Sequence, residues 1–269
     1  MERVLSLLGL LLVFVLIGCE EENNSFIVGM ECDYAPYNWT VTESDASDIA
    51  VQIDGSNQYC EGYDVQVASR LAEDLGLDLM IRKIAWDGLP SALNSNQIDA
   101  IIAGMSPTPE RAQTMNFTNA YFTEDSEQVV VLRSDSDYLN ANSLNDFTGA
   151  TVIAQLGTFQ VDLIAQLDGA NSGTHLADYP AVINSVVSGV ADAYIAERAV
   201  AEAHVANNSE LTFISFIDGF ELDPAYNTVA VALRLEDTEL RADINEALAK
   251  ISEDTRVEWM DEASLRAGE

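Results

Sequence analysis

Positive charge is scarce in this sequence. Its 269 residues include 12 Lys and Arg against 45 Asp and Glu, which gives a formal net charge of −33. A surface this negative repels phosphates and offers them few cations, so we expect no nucleic-acid partner. The same field attracts cationic partners, and the acidity is equally compatible with life in high salt. Because 48% of the residues are apolar, we still expect a globular fold of one large or two ordinary domains.

Histidine and cysteine are scarce as well. The chain has two His, three Cys and no Cys-x-x-Cys spacing, so no zinc site is predicted. Neither His175 nor His204 lies in a recognisable motif of a Ser–His–Asp enzyme. No internal repeat and no low-complexity run follow residue 25.

The N-terminus reads as a targeting segment. Val4 to Ile17 is a mostly apolar stretch of 14 residues, whereas a membrane span needs about 20. It ends in Leu-Ile-Gly-Cys, which resembles a bacterial lipobox. We therefore predict a lipoprotein signal peptide at residues 1–18, with a lipidated Cys19 and a short tether at 19–25. The alternative is an uncleaved anchor followed by a chance cysteine.

Two further cysteines, Cys32 and Cys60, remain in a chain that is predicted to be exported. Export permits a disulfide, and an even number of leftover thiols favours one over two buried free thiols.

Short apolar runs alternate with helical patterns along the rest of the chain. We predict strands at 26–29, 79–81, 100–103, 128–132, 151–154, 193–196, 212–216 and 228–233, and helices at 64–75, 88–94, 159–167, 181–188, 197–206 and 239–252. Thr108 and Pro109 are typical of a helix start. Strands separated by helices predict parallel α/β sheets, and a break near 118–127 predicts two lobes.

Ligands of open α/β sheets bind beyond the carboxyl ends of the strands. The segments that follow the predicted strands carry polar or aromatic side chains at 31–37, 104–111, 155–160 and 197–198. Between two lobes, these segments would form one cleft.

Over about residues 27–262, the chain resembles a known family: the extracellular solute-binding proteins of polar amino-acid ABC importers. The motifs that carry the resemblance are Asp-Tyr-Ala-Pro-Tyr at 33–37, Gly-Tyr-Asp-Val at 62–65, Trp-Asp-Gly-Leu at 86–89, the block from Gln97 to Arg111, and Phe-Thr-Asn-Ala-Tyr-Phe at 117–122. The resemblance implies an α/β, two-lobed periplasmic-binding-protein-like (Venus flytrap) fold with two hinge crossovers. Lobe 1 would comprise residues 26–120 plus 230–269, and lobe 2 residues 121–229.

The function that this resemblance implies is capture without chemistry. The protein would be the substrate-binding component of an amino-acid ABC transporter. It would hold a polar or basic L-amino acid (arginine, lysine, histidine or glutamine) for membrane permease subunits. No cofactor or metal is expected. The chain would be a monomer anchored through Cys19 to the outer face of the cell membrane or on the periplasmic side.

Residue roles follow from the same resemblance. Arg111 stands at the family's carboxylate clamp, because a planar guanidinium can hold a carboxylate with two parallel hydrogen bonds. Ser106 and the nearby backbone of Ala103 and Gly104 would help to hold the ligand's carboxylate and ammonium. Glu197 stands where the family has an acid that pairs with the α-ammonium. Arg111 would otherwise be a surface residue paired with a neighbouring acid, and Glu197 a helix-end acid.

Other positions would contact the ligand from lobe 2. Thr158 matches an anion-binding Gly-Thr turn, followed here by Phe159, and Gln155 would reach the ligand side chain.

Aromatic and acidic residues complete the implied pocket. Tyr34 and Tyr63 match the positions that sandwich the ligand side chain, with core packing as the alternative. Glu31 matches an acid that meets a polar or cationic side-chain end, which disfavours acidic ligands. Trp39 and Trp86 would each be either pocket or core residues.

Two other functions fit the same fold. Some dehydratases of cyclic amino-acid precursors share it, and Arg111 with a protonated Glu31 or Glu197 would supply an anchor and a general acid. We expect no enzyme, because Glu197 beside an ammonium would stay ionised. The third possibility is a sensing module for a receptor.

Overall fold

The computed structural model describes residues 24–123 and 127–268. The predicted signal peptide and Cys19 lie outside the described residues. The described part holds fourteen strands: β1 (Ser25–Met30), β2 (Asp33–Tyr34), β3 (Asn38–Val41), β4 (Val51–Gln52), β5 (Tyr59–Glu61), β6 (Asp78–Lys83), β7 (Ala100–Ile101), β8 (Asn116–Thr123), β9 (Gln128–Arg133), β10 (Thr151–Ile153), β11 (Asn171–Ser172), β12 (Ala193–Glu197), β13 (Leu211–Ile214) and β14 (Thr228–Leu233). Its seven α-helices are α1 (Tyr63–Leu75), α2 (Leu89–Asn94), α3 (Gln160–Leu163), α4 (Tyr179–Val187), α5 (Arg198–Asn207), α6 (Thr238–Leu248) and α7 (Glu253–Ala267).

Two five-stranded sheets form the centres of the molecule. The first has the order β6-β1-β7-β14-β8 and the second the order β11-β10-β12-β9-β13. The chain leaves the first sheet after β8 and returns to it with β14, so it passes between the sheets twice. This confirms the predicted α/β, two-lobed architecture with two crossovers. Strand β14 spans Thr228–Leu233, which confirms the strand predicted at 228–233, whereas β8, which ends at Thr123, was not predicted.

The sheets are mixed, so the prediction of parallel sheets was wrong for part of each. Strand β1 runs parallel to β6 and β7, and β10 runs parallel to β11 and β12. Strands β9 and β14, the first after each passage between the sheets, run antiparallel to both of their neighbours. Neither strand enters its sheet through a β-α-β unit, which is the connection that makes neighbouring strands parallel.

A third, smaller sheet was not predicted. Its order is β2-β3-β5-β4, and it covers the region between β1 and α1. A disulfide joins Cys32, just before β2, to Cys60 in β5, with 5.7 Å between the Cα atoms. The bridge therefore ties the segment that follows β1 to the middle of this sheet.

Several helix boundaries differ from the predictions. Helix α6 ends at Leu248, and a separate helix α7 follows that the sequence pattern did not predict. The helix predicted to begin at Thr108 is wrong: the structure has a short 3-10 helix at Arg111–Gln113 there. The predicted capping residue still acts locally, because Thr108 Oγ1 accepts a hydrogen bond of 3.2 Å from the Arg111 N–H.

The core consists of apolar side chains on the central strands and on the helix faces that cover them. Ile101, Val131 and Tyr194 are fully buried in the sheets, and Leu71 and Val182 are fully buried on helices α1 and α4. Among residues 24–123 and 127–268, no helix is long and apolar enough to cross a membrane.

The disulfide gives a testable contribution to stability. Replacing Cys32 and Cys60 together by Ala opens a loop with a sequence separation of 28 residues. We expect the double variant to lose about 3 kcal/mol of unfolding free energy, because the unfolded chain regains loop entropy. Urea denaturation of both proteins measures this difference. A variant as stable as the native protein would show that the bridge constrains nothing.

Candidate functional site

A cavity with about 330 Å³ of empty space, part of it open to solvent, lies between the two five-stranded sheets, at the carboxyl ends of their parallel strands. Twelve residues line it: Glu31, Tyr34, Trp86, Gly104, Ser106, Arg111, Gln155, Thr158, Phe159, Gln160, Tyr179 and Glu197. The structure thus brings together nine of the eleven residues that the sequence predicted for a ligand site.

Strand ends place these side chains. Glu31 and Tyr34 follow β1, while Gly104, Ser106 and Arg111 follow β7. From the second sheet, the residues after β10 contribute four side chains and the last residue of β12 contributes one: Gln155, Thr158, Phe159, Gln160 and Glu197. Both halves of the molecule therefore supply groups to one cavity, as the rule for open α/β sheets predicts.

Arg111 is held by neutral groups only. Its guanidinium donates to the carbonyl oxygens of Ser106 (3.0 Å) and Gly157 (3.4 Å), and it lies 5.0 Å from the ring centre of Trp86. No Asp or Glu of the described residues lies within 4.0 Å of it. The surface ion pair considered as the alternative does not form. The positive charge faces the cavity uncompensated.

Glu31 is a buried acid that meets the second sheet. It is 3% exposed, and Gln155 Nε2 donates to both carboxyl oxygens, at 2.9 and 3.2 Å. Burial raises the pKa of Glu31 to about 8, aided by Asp33 and Asp178 and opposed by the Gln155 hydrogen bond and by Lys83. Burial thus favours the neutral form of this carboxyl group, whereas a cationic group beside it would favour the ionised form.

Glu197 is the second acid of the cavity. Gln160 Nε2 donates to its Oε1 at 2.7 Å, while its Oε2 is buried with no hydrogen-bond partner among the described residues. Burial raises the pKa of this carboxyl group too. A buried oxygen without a donor is unusual in folded proteins, and it marks a place where a ligand N–H would be stabilised.

Aromatic rings form the apolar walls. Tyr34 from the first half stacks on Tyr179 from the second, with ring centres 5.7 Å apart and planes within 4°. Phe159 stacks on Tyr226 at 4.3 Å and 3°. The indole Nε1 of Trp86 donates to the Gly157 carbonyl oxygen at 3.1 Å, which joins the two halves beside Arg111.

Two of the predicted residues do not line the cavity. Tyr63 is fully buried at the start of α1, where its ring packs against Phe122 and its hydroxyl donates to the Tyr121 carbonyl oxygen at 3.0 Å. Ala103 has its side chain in the core, one position before Gly104. For Tyr63, the core alternative is therefore the correct one.

The sequence left open or missed three lining residues. Trp86 belongs to the cavity, whereas Trp39 does not line it. Gln160 follows directly after Phe159, so its place beside the predicted turn was a usable signal. Tyr179 is the first residue of α4 and follows no predicted strand end, so no pattern in the sequence indicated it.

Metal-type side chains do not gather in the described part of the chain. No group of three or more His, Cys, Asp or Glu residues there is arranged to hold a metal ion. The chemistry of the cavity is that of one guanidinium, two carboxyl groups, two amide side chains and several aromatic rings.

Comparisons with known proteins identify relatives of this chain. The chain is 28% identical over 249 residues to the arginine-binding extracellular protein ArtP of Bacillus subtilis (strain 168), which covers 90% of this chain and 86% of that protein. It is 29% identical to the arginine-bound form of truncated ArgBP from T. maritima, with a TM-score of 0.69. The match covers 85% of this chain and 97% of that one.

A third comparison concerns the fold alone. AbpA of Streptococcus pneumoniae, solved with bound L-arginine, shares 24% identity and a TM-score of 0.75, and the match covers 91% of this chain and 97% of that one. The sequence profile of one family matches residues 26–263. The chain therefore belongs to the bacterial extracellular solute-binding proteins, family 3.

Proposed function

We propose that the protein captures a basic L-amino acid, arginine foremost, and delivers it to the permease of an ABC importer. The observation that carries this proposal is the charge of the cavity. One guanidinium and two carboxyl groups face a single enclosed space, and none of them is paired with another. A basic amino acid has one carboxylate and two cationic groups, which is the complementary set.

Each charged group then has one role. Arg111 clamps the ligand carboxylate, with Ser106 and the backbone at Gly104 beside it, and Thr158 approaches from the other half. Glu197 meets the α-ammonium through the oxygen that lacks a partner. Glu31 and Gln155 meet the cationic end of the side chain, whose stem lies among Tyr34, Trp86 and Tyr179.

Closure of the two lobes completes the site. We infer that one lobe holds the first sheet and the C-terminal helices and the other holds the second sheet, with the connections β8–β9 and β13–β14 as hinges. Supporting contacts between them are the Glu31–Gln155 and Trp86–Gly157 hydrogen bonds. A ligand that bridges both lobes favours the closed state.

The site of action follows from the N-terminal sequence. Cys19 is the proposed lipidation site, and a multiply acylated cysteine would hold the protein on the outer surface of the membrane, near its permease. The proposed state is a monomer.

One observation favours a second candidate, a dehydratase of a cyclic amino-acid precursor. Glu31 is an acid whose pKa burial raises to about 8, and it lies in the same cavity as a carboxylate anchor, Arg111. Incubation of the protein with prephenate or arogenate, followed by product absorbance, tests it. Turnover would establish an enzyme, and its absence together with tight arginine binding would leave the capture function.

A matched ligand pair tests the capture proposal directly. Citrulline has the shape of arginine but carries a neutral urea group, so it lacks the charge that Glu31 would meet. We expect arginine to bind at least about tenfold more tightly, since charged hydrogen bonds are about twice as strong as neutral ones. Isothermal titration calorimetry on the full chain in mild detergent gives both dissociation constants. Equal affinities would refute the assigned role of Glu31, and no binding of any amino acid would refute the proposal.

The carboxylate clamp is tested by a substitution that keeps the charge. Arg111→Lys removes the planar fork, so we expect arginine binding to weaken by about tenfold or more. Arg70→Lys is the matched control, because Arg70 pairs with Asp74 on the surface of α1. Unchanged affinity in Arg111→Lys would mean that the guanidinium does not hold the ligand.

The raised pKa of Glu31 makes binding pH-dependent. The ionised carboxylate is the form that pairs with a cation, and Glu31 loses its proton only as the pH rises through about 8. We therefore expect affinity for arginine to increase between pH 6 and pH 8, by up to about tenfold per unit well below the pKa. Calorimetry across this range measures it, and Glu31→Gln is expected to make the dependence shallower. A flat profile in the native protein would contradict a protonated Glu31.

Gly104 offers a test of cavity shape. Its φ is +60°, and an added Cβ would lie 2.6 Å from Cε1 of Tyr34, so Gly104→Ala must displace a wall of the cavity. The control is Gly76→Ala at φ +70°, where an added Cβ meets nothing within 4 Å. Both variants should lose about 1 kcal/mol of stability through backbone strain. Only Gly104→Ala should also weaken arginine binding, and equal affinities in the two variants would argue against Tyr34 as a wall.

A further inference from the structure

Asp64 is a fully buried carboxylate that does not reach the cavity. It is the second residue of α1 and is 0% exposed. Tyr121 Oη donates to its Oδ1 at 2.7 Å, and Asn38 Nδ2 donates to its Oδ2 at 2.8 Å. No cationic side chain of the described residues forms an ion pair with it. Burying such a charge is costly, so its position calls for an explanation beyond packing.

Each partner of Asp64 also accepts a hydrogen bond from a backbone N–H of a segment that lines the cavity. Asn38 Oδ1 accepts from the Cys32 N–H at 2.7 Å, and Cys32 lies between Glu31 and Tyr34 in sequence. Tyr121 Oη accepts from the Gly104 N–H at 3.0 Å, and Gly104 lines the cavity. One carboxylate is thus connected to both segments through which the first half of the molecule meets a ligand.

The backbone at Cys32 needs support, whereas glycine adopts the same left-handed region without strain. Cys32 has φ +51° and Gly104 has φ +60°, both in the left-handed region. A non-glycine residue there is strained and persists only where its surroundings hold it. The Asn38 bond and the disulfide both act at Cys32, and the Tyr121 bond acts at Gly104.

We propose that Asp64 is a positioning residue for ligand capture. Through Asn38 and Tyr121, it fixes the backbone amides of Cys32 and Gly104, and thereby the places of Glu31 and Tyr34. The ligand-binding part of this inference rests on the proposed function. The hydrogen-bond relay itself, which runs from Asp64 through Asn38 to Cys32 and through Tyr121 to Gly104, does not. Tyr121 also belongs to β8, the strand from which the chain passes to the other sheet.

The relay depends on the direction of each hydrogen bond. A carboxylate only accepts, so it satisfies the donors of Tyr121 and Asn38 at once. Asp64→Asn replaces one acceptor by an NH₂ group, which then faces the NH₂ of Asn38. If the Asn38 amide turns around, its oxygen accepts from the new NH₂ group. Its own NH₂ group then faces the Cys32 N–H, which is also a donor. Turning the new amide instead keeps the bond from Asn38 but points the new NH₂ at Tyr121 Oη, whose own hydroxyl then loses its acceptor. Every arrangement of this variant therefore leaves one buried donor without an acceptor.

The reciprocal exchange restores the pattern. In the double variant Asn38→Asp/Asp64→Asn, the new carboxylate accepts from the Cys32 N–H and from the new amide. That amide's oxygen accepts from Tyr121 Oη. All the hydrogen bonds of the relay are then available again, and only the position of the charge has changed.

The experiment measures arginine affinity and backbone protection together, on the full chain in mild detergent. For Asp64→Asn we expect at least about tenfold weaker binding and faster hydrogen exchange of the Cys32 and Gly104 amides. The double variant should recover both to near the native values. Asp74→Asn, on the surface of the same helix, is the matched control and should leave both unchanged.

Tyr121→Phe separates the two branches of the relay, and it also serves if Asp64→Asn does not fold. This variant removes one hydroxyl, so exchange should become faster at Gly104 and stay slow at Cys32.

The outcomes test the relay and the proposed arginine binding separately. Native affinity and native protection in Asp64→Asn, or a folded double variant that recovers neither, would overturn the relay. For Tyr121→Phe, unchanged exchange at Gly104 would do the same. If the native protein binds no arginine, the proposed function fails, while the exchange rates at Cys32 and Gly104 still decide whether Asp64 positions them.

Discussion

Charged groups in the cavity are satisfied by neutral partners, and the function of the molecule depends on this arrangement. Arg111 rests on two carbonyl oxygens and an indole ring, Glu31 on the Gln155 amide and Glu197 on the Gln160 amide. Neutral partners lower the cost of burying these groups without cancelling their charge. A ligand with the complementary charges therefore gains strong interactions without having to break internal ion pairs, which would offset most of that gain.

Such a site works only when both halves of the molecule enclose it. Arg111 and Glu31 come from the first half, whereas Glu197 and both amide partners come from the second. The Glu31–Gln155 hydrogen bond crosses between the halves, so the proposed separation of the lobes would remove the partner that satisfies Glu31. Under that proposal, binding and closure are the same event in energetic terms. A ligand that matches only one half cannot draw the other half in.

The sequence predicted the parts of the fold that repeat a simple pattern. Continuous apolar runs such as 100–103 located buried strands, and the segments after them contain nine of the cavity residues, which the family resemblance singled out. Hydrophobic periodicity gave no prediction where an element is too short or too little buried to show a period. The strands of the third sheet are two to four residues long, and α7 buries only a narrow stripe, so neither shows a clear period. Tyr63 and Trp86 each lie in a short motif that contains an aromatic residue beside an Asp. The motif does not say which way the ring points, so the sequence could not tell that Trp86 faces the cavity and Tyr63 the core.

Three buried acids of the described residues, Glu31, Glu197 and Asp64, form no ion pair, and their surroundings divide them into two groups. Glu31 and Glu197 line the cavity beside amide side chains of the second half, and in the proposed function they meet the ligand. Asp64 has both oxygens occupied by donors of its own half. Burial raises its pKa to about 7, opposed by the hydrogen bonds from Tyr121 and Asn38 and by the Gly104 backbone N–H. Protonation of Asp64 would place a hydrogen against a donor, whereas protonation of Glu31 leaves a group that still accepts from Gln155. In the two proposals, acidic residues thus serve capture at one position and construction of the site at another.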